Sequence, residues 1–192
     1  MEKVKAFFSI KSLKVLILVI DSIVPLVVIP YGYDYFYYPK IIIIYILLAV
    51  SIFIALISVL LGNLKLKACS NTFLLMMFLF FVFLSFAFSP YKAQALWGRP
   101  ARFEGLITYI SYFLIYYLSY LCFEDDKDIT MLLKFSFSSA CIIAFIGILQ
   151  YAGLNRIPRD NIRKAWHNTA FSTLGNPNFL GSYLSLIFPA TL

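Results

Sequence analysis

Two polar stretches hold the residues of this chain that could do chemistry. The first is Ser89–Gly105, SPYKAQALWGRPARFEG, with Lys92, Arg99, Arg102 and Glu104. The second is Asn155–Gly181, NRIPRDNIRKAWHNTAFSTLGNPNFLG, with Arg156, Arg159, Arg163, Lys164 and the only histidine, His167, followed by Gly175-Asn176-Pro177-Asn178. All five arginines of the chain lie in these two stretches. A guanidinium presents a planar fork that meets phosphate oxygens in pairs, which a lysine ammonium does not. The expected chemistry is therefore the holding of a phosphate or diphosphate. In the first stretch Arg102 is the phosphate contact, supported by Arg99, and Glu104 orients it or a reacting hydroxyl; Gly105 lends a flexible end. In the second, Asn176 is a good helix N-cap and Pro177 suits the first helical position, so free backbone N–H groups face an anion there. Arg159, Arg163, Lys164, His167 and Asn178 are the side chains expected to converge on that point. The plainer alternatives are headgroup anchoring by Trp97 and the arginines in the first stretch, and an ordinary capped helix beside lipid phosphates in the second. Neither stretch carries a Gly-rich nucleotide cradle or a carboxylate pair for a divalent metal, so no metal and no cofactor are expected.

The elements that must position these residues are apolar. Hydrophobic residues make up 62% and aromatic residues 19% of the 192, against only 13% charged, and the mean hydropathy is +0.87. Soluble domains run near half apolar and a quarter charged, so an all-α, polytopic membrane bundle is expected, forming a single transmembrane domain over residues 1–192. Five spans are predicted: Leu13–Ile29, Ile41–Leu61, Thr72–Phe88, Leu106–Phe123 and Thr130–Ala152. A sixth begins at Phe179. Only fourteen residues follow from there to Leu192, too few to cross, so the chain is expected to be the N-terminal portion of a larger protein. The basic segment before Val15 raises a signal peptide, but no small-residue cleavage site follows the apolar run, and a retained first helix is predicted. Asp21 falls in the middle of that span, a depth at which a carboxyl is either functional or paired; Pro25 is expected to bend the span locally. Tyr31–Tyr38 has six aromatics in eight residues and reads as an interfacial belt, or else as a platform for sugar rings or an isoprenoid tail. Tyr109, Tyr112, Tyr116 and Tyr120 share one helix face and are expected to pack between helices. Cys69, Cys122 and Cys141 show no ligand spacing and read as reduced packing residues.

Lys3, Lys5, Lys11 and Lys14 place the N-terminus in the cytoplasm. With five spans, the basic residues then divide equally between the two faces, although short loops should favour the inside. The outward set contains every arginine and the inward set only lysine, which points to outward arginines kept for binding an anion. A misplaced first span is the competing explanation.

The segments ALWGRPARFEGLITYISYFLIYYLSY and AFSTLGNPNFLGSYL together resemble the O-antigen ligase and polymerase-like family of polytopic membrane proteins. The resemblance covers both loops and the fourth to sixth spans. It implies a metal-independent glycosyltransferase of the outer face of a bacterial plasma membrane, moving a glycan from an undecaprenyl diphosphate carrier to a hydroxyl acceptor. It also implies arginines on the diphosphate and a base for the acceptor. Arg102 matches the first motif. Thr169 and Ala170 stand where many relatives carry an arginine before the Asn-Pro-Asn piece, with Arg163, Lys164 or His167 as possible substitutes. The family's catalytic histidine lies in a later loop, so His167 is not cast as its equivalent and the segment alone should be inactive. A transporter or flippase for an anionic lipid-linked substrate, with Asp21 as its proton-coupling group, is the alternative; a non-catalytic membrane subunit that binds lipid phosphates is the third. The partners expected are the lipid-linked glycan, its acceptor and membrane lipids, with no nucleic acid.

Overall fold

The computed structural model describes residues 8–32, 34–67, 72–100, 102–154, 157 and 169–191. Among them there are seven α-helices and no strand: α1 Ile10–Ser22, α2 Tyr37–Leu60, α3 Thr72–Phe88, α4 Lys92–Trp97, α5 Leu106–Cys122, α6 Asp126–Tyr151 and α7 Pro177–Ile187. Short 3-10 turns occupy Val24–Leu26, Ser172–Leu174 and Phe188–Thr191. The all-helical class is as the apolar runs indicate.

Two helices, α2 and α6, are long and apolar enough to cross a membrane, and only 22% and 28% of their most apolar windows are buried within the chain. α3 and α5 are apolar but have 17 residues each, about 26 Å at the helical rise. α3 buries none of its described side chains, and Phe73, Leu74, Phe80 and Phe81 are all more than half exposed. An apolar helix that leaves most of its surface uncovered is suited to lipid rather than to water.

Several predicted boundaries move. The first span was expected over Leu13–Ile29, but α1 stops at Ser22 and Pro25 closes a 3-10 turn instead of bending a longer helix. Asp21 consequently lies in the last turn of a 13-residue helix, not in the middle of a span. α2 starts four residues early, at Tyr37, because Asp34 Oδ1 accepts the N–H groups of Phe36 (2.9 Å) and Tyr37 (3.1 Å). The end of the aromatic belt is thus helical. α6 likewise absorbs part of the acidic turn: Asp126 and Asp128 sit in its first turn, where the positive end of the helix dipole favours them.

The helices divide into two compact units. The first comprises Met1–Ile17 with Tyr45–Glu124. In it α3, α4 and α5 pack on one another, with Leu106, Leu118 and Leu121 buried from α5. Tyr109 meets the edge of Phe78 at 5.8 Å, a tyrosine–helix contact of the kind expected from that face. Tyr112, Tyr116 and Tyr120 are exposed. Tyr117 donates to the Lys67 carbonyl (3.1 Å), and Lys67 pairs with Glu124 at 2.6 Å.

The second unit comprises Leu18–Ile44 with Asp125–Leu192. Its centre is the segment entering α7. Phe171, fully buried, packs edge-on against buried Phe36 at 5.5 Å. Gln150 Oε1 accepts from the backbone N–H groups of Phe171 and Ser172, and Ser172 Oγ donates to the Ile143 carbonyl. Thr173 is held twice, its hydroxyl donating to the Pro25 carbonyl (2.9 Å) and its carbonyl accepting from Lys40 Nζ (2.6 Å). Gly147 lets α7 approach α6: a β-carbon there would lie 3.3 Å from a methyl of Leu180. Cys122, in the first unit, is buried, and Cys141, in the second, is exposed.

Candidate functional site

The segment between α3 and α5 is built to hold a fixed shape. Lys92 spends its ammonium on the end of α3, donating to the Phe86 carbonyl (3.0 Å) and to the Ala87 carbonyl, with the Phe86 ring 5.4 Å below. A cation is favourable at a helix C-terminus, where carbonyls lack partners. The six-residue helix α4 follows, inside a stretch that its polar composition marks as a loop between spans. Gly98 ends it with φ +87° while its N–H donates to the Gln94 carbonyl (2.8 Å).

The chain then folds back on itself. The Arg99 carbonyl accepts the N–H groups of Arg102 (3.1 Å) and Phe103 (2.9 Å). Phe103 adopts φ +55°, a conformation that is uncommon for a bulky residue. It is held there by Thr108, whose hydroxyl donates to the Phe103 carbonyl at 2.6 Å. That uses the only hydroxyl proton of Thr108, so the 2.8 Å contact with Tyr45 Oη is a donation from the tyrosine. Thr108 is buried.

Two glycines close the turn. A β-carbon on Gly98 would stand 2.3 Å from the Glu104 nitrogen, and one on Gly105 would stand 2.3 Å from the Leu96 carbonyl oxygen and 2.4 Å from the Gly98 nitrogen. Gly105 is therefore not the flexible end expected from sequence. It is buried and extended (φ −107°, ψ −178°), and its lack of a side chain serves close backbone approach.

Arg99, Arg102 and Glu104 ride on this clamp, all exposed. Among the described residues none of them makes a side-chain hydrogen bond or ion pair, so Glu104 does not orient Arg102 through a direct contact. Glu104 lines an open cleft of about 310 Å³ between Phe78, Ser85 and Phe86 of α3, Ala95 of α4 and Tyr109 of α5. The arrangement is two unpaired guanidiniums and one unpaired carboxylate on a rigid turn, next to an aromatic-walled recess. No protein-family model, curated protein or solved structure matches this chain.

The second predicted group is only partly visible. Arg159, Arg163, Lys164 and His167 lie outside the described residues. Asn176 caps α7 as its sequence indicates: its Oδ1 accepts the Asn178 N–H at 2.9 Å from an extended backbone, with Pro177 in the first turn. Gly175 before it takes the left-handed conformation (φ +72°). Asn178 is exposed. Asn176 and Asn178 belong to the second unit, and Arg99, Arg102 and Glu104 to the first. Among the described residues no cluster of three or more His, Cys, Asp or Glu is placed to hold a metal ion.

Sequence reasoning missed Thr108, Tyr45 and the role of Gly98. The available signal was the spacing of Gly98 and Gly105 on either side of Arg-Pro-Ala-Arg-Phe-Glu. Two glycines bracketing a short charged run mark a place where the backbone doubles back.

Proposed function

We propose that this protein is a multi-pass protein of a bacterial plasma membrane that transfers or polymerises a glycan from an undecaprenyl diphosphate carrier at the outer face. Five apolar helices would cross or enter the bilayer, with the N-terminus inside. Two helices of spanning length and the uncovered apolar surface of α3 support the membrane setting. The observation that carries the chemistry is the Gly98–Gly105 clamp, which presents Arg99 and Arg102 without partners among the described residues, beside Glu104 and its cleft. Unpaired guanidiniums on a rigid turn are suited to a diphosphate, because their geometry is set before the ligand arrives and the charge on the leaving oxygen is met as it develops. In this reading Arg102 and Arg99 hold the diphosphate, and Glu104 at the cleft accepts a hydrogen bond from a sugar or acceptor hydroxyl. In the second polar stretch, Asn176, Asn178 and the basic residues Arg159, Arg163, Lys164 and His167 are the candidates for binding phosphate. The resemblance of the two loops to O-antigen ligases and polymerases points to the same chemistry.

The test is glycan transfer by the native protein in its own membranes after Arg102→Ala. Loss of one such contact is expected to lower transfer by about 100-fold or more, with membrane insertion unchanged. Transfer at the wild-type rate would overturn the assignment.

A further inference from the structure

Asp21 does not belong to the arginine loops, and its surroundings are unusual for a carboxylate. Its Oδ2 lies 2.5 Å from Ser136 Oγ, while the same Ser136 oxygen lies 3.0 Å from the Leu132 carbonyl. Ser136 has one hydroxyl proton and both neighbours are acceptors, so an ionised Asp21 leaves one of the two contacts without a hydrogen. A protonated Asp21 satisfies both: the carboxyl O–H donates to Ser136 Oγ, and the Ser136 hydroxyl donates to Leu132.

Three further observations agree. Asp21 is in the last turn of α1, where the helix dipole disfavours an anion. Among the described residues it has no cationic partner; Lys134, two residues before Ser136, is exposed and makes no ion pair. Two further buried oxygens lie on the same helices, Ser139 Oγ and Tyr183 Oη; they neighbour each other without a well-formed hydrogen bond, and the Tyr183 hydroxyl is within electrostatic reach of Asp21. Tyr183 is the titratable side chain that α7 brings to the group; α6 contributes only the serines.

We infer that Asp21, Ser136, Ser139 and Tyr183 form a proton-binding site joining α1, α6 and α7, distinct from the arginine loops. When loaded, the proton sits on Asp21 and is shared with Ser136. When it leaves to water, the Ser136 hydroxyl turns from the Leu132 carbonyl to the carboxylate, and the Tyr183 hydroxyl lies within electrostatic reach of the charge.

The experiment is labelling of the wild-type protein in its native membranes with a lipid-soluble carbodiimide, followed by peptide mapping. A protonated carboxyl adds across the carbodiimide and rearranges to a stable acylurea with no leaving group; an ionised one does not start the reaction. The expected result is an adduct on the peptide containing Asp21, formed at acidic pH, lost as the pH is raised, and indifferent to replacing choline by Na⁺ at constant ionic strength. Asp21→Asn should remove that adduct alone. Absence of the adduct at every pH would overturn the site, because the carboxyl would then be permanently ionised. Protection by Na⁺ would overturn it too, making the ligand a metal cation. The mapping needs no variant to fold, and it reads nothing about glycan transfer.

Discussion

Gly98 and Glu104 approach so closely that a β-carbon on the glycine would lie 2.3 Å from the glutamate nitrogen. Six residues apart in sequence, they form the neck of the turn that carries Arg99 and Arg102. Gly62 also has a positive φ (+72°) but open space around its β position. Ala at either site incurs the conformational penalty, about 1–2 kcal/mol. Only Gly98→Ala must also move the backbone of Phe103 and Glu104. Thermal unfolding in detergent is expected to show Gly62→Ala mildly destabilised and Gly98→Ala more so. Glycan transfer should be lost in Gly98→Ala and kept in Gly62→Ala.

The hydroxyl of Thr108 links the turn to α2 through Tyr45. Thr108→Val keeps the shape and removes the hydrogen, leaving the Phe103 carbonyl and the Tyr45 hydroxyl without their partner. An unsatisfied buried group costs about 1–3 kcal/mol. Tyr45→Phe removes only the outer donor and should cost less, near 1 kcal/mol. Chemical unfolding of both variants checks the order; equal losses would mean that Thr108 does not hold Phe103 in place.

Asn176 offers a way to separate capping from anion binding. Asn176→Ala should lose about 1 kcal/mol with the cap. Asn176→Asp retains an oxygen for the Asn178 N–H and adds a negative charge that the helix N-terminus tolerates. Stability should therefore survive in Asn176→Asp, while transfer falls because the new charge repels phosphate. Undiminished transfer in that variant would confine Asn176 to its cap.

Orientation is open to direct measurement. Gln94 is exposed on α4 and Lys127 is exposed at the start of α6. After replacing the three native cysteines, a cysteine at Gln94 should react with an impermeant reagent added to whole cells, and one at Lys127 should not. The reverse pattern would put the arginines in the cytoplasm, where a carrier presented on the outer face cannot reach them.

Local information carried some elements completely. α3 begins and ends where its apolar run does, at Thr72 and Phe88, because a helix of lipid-compatible residues needs no partner to define it. Asn176-Pro177 determined the start of α7, since a cap and an N1 proline act within one turn. The end of α1 was legible in principle from Pro25 yet was missed, because the apolar run to Ile29 outweighed it. The candidate site divides the same way. That Arg99, Arg102 and Glu104 share a loop is written in the chain itself. That Gly105 is tightly packed instead of mobile, that Phe103 takes a left-handed backbone, and that Thr108 holds it are not, because each depends on an atom brought close by folding. Residue types and spacing determine which charges this protein can present. Only the tertiary structure decides whether they are spent on each other or left free, since pairing depends on distances that no spacing in sequence contains.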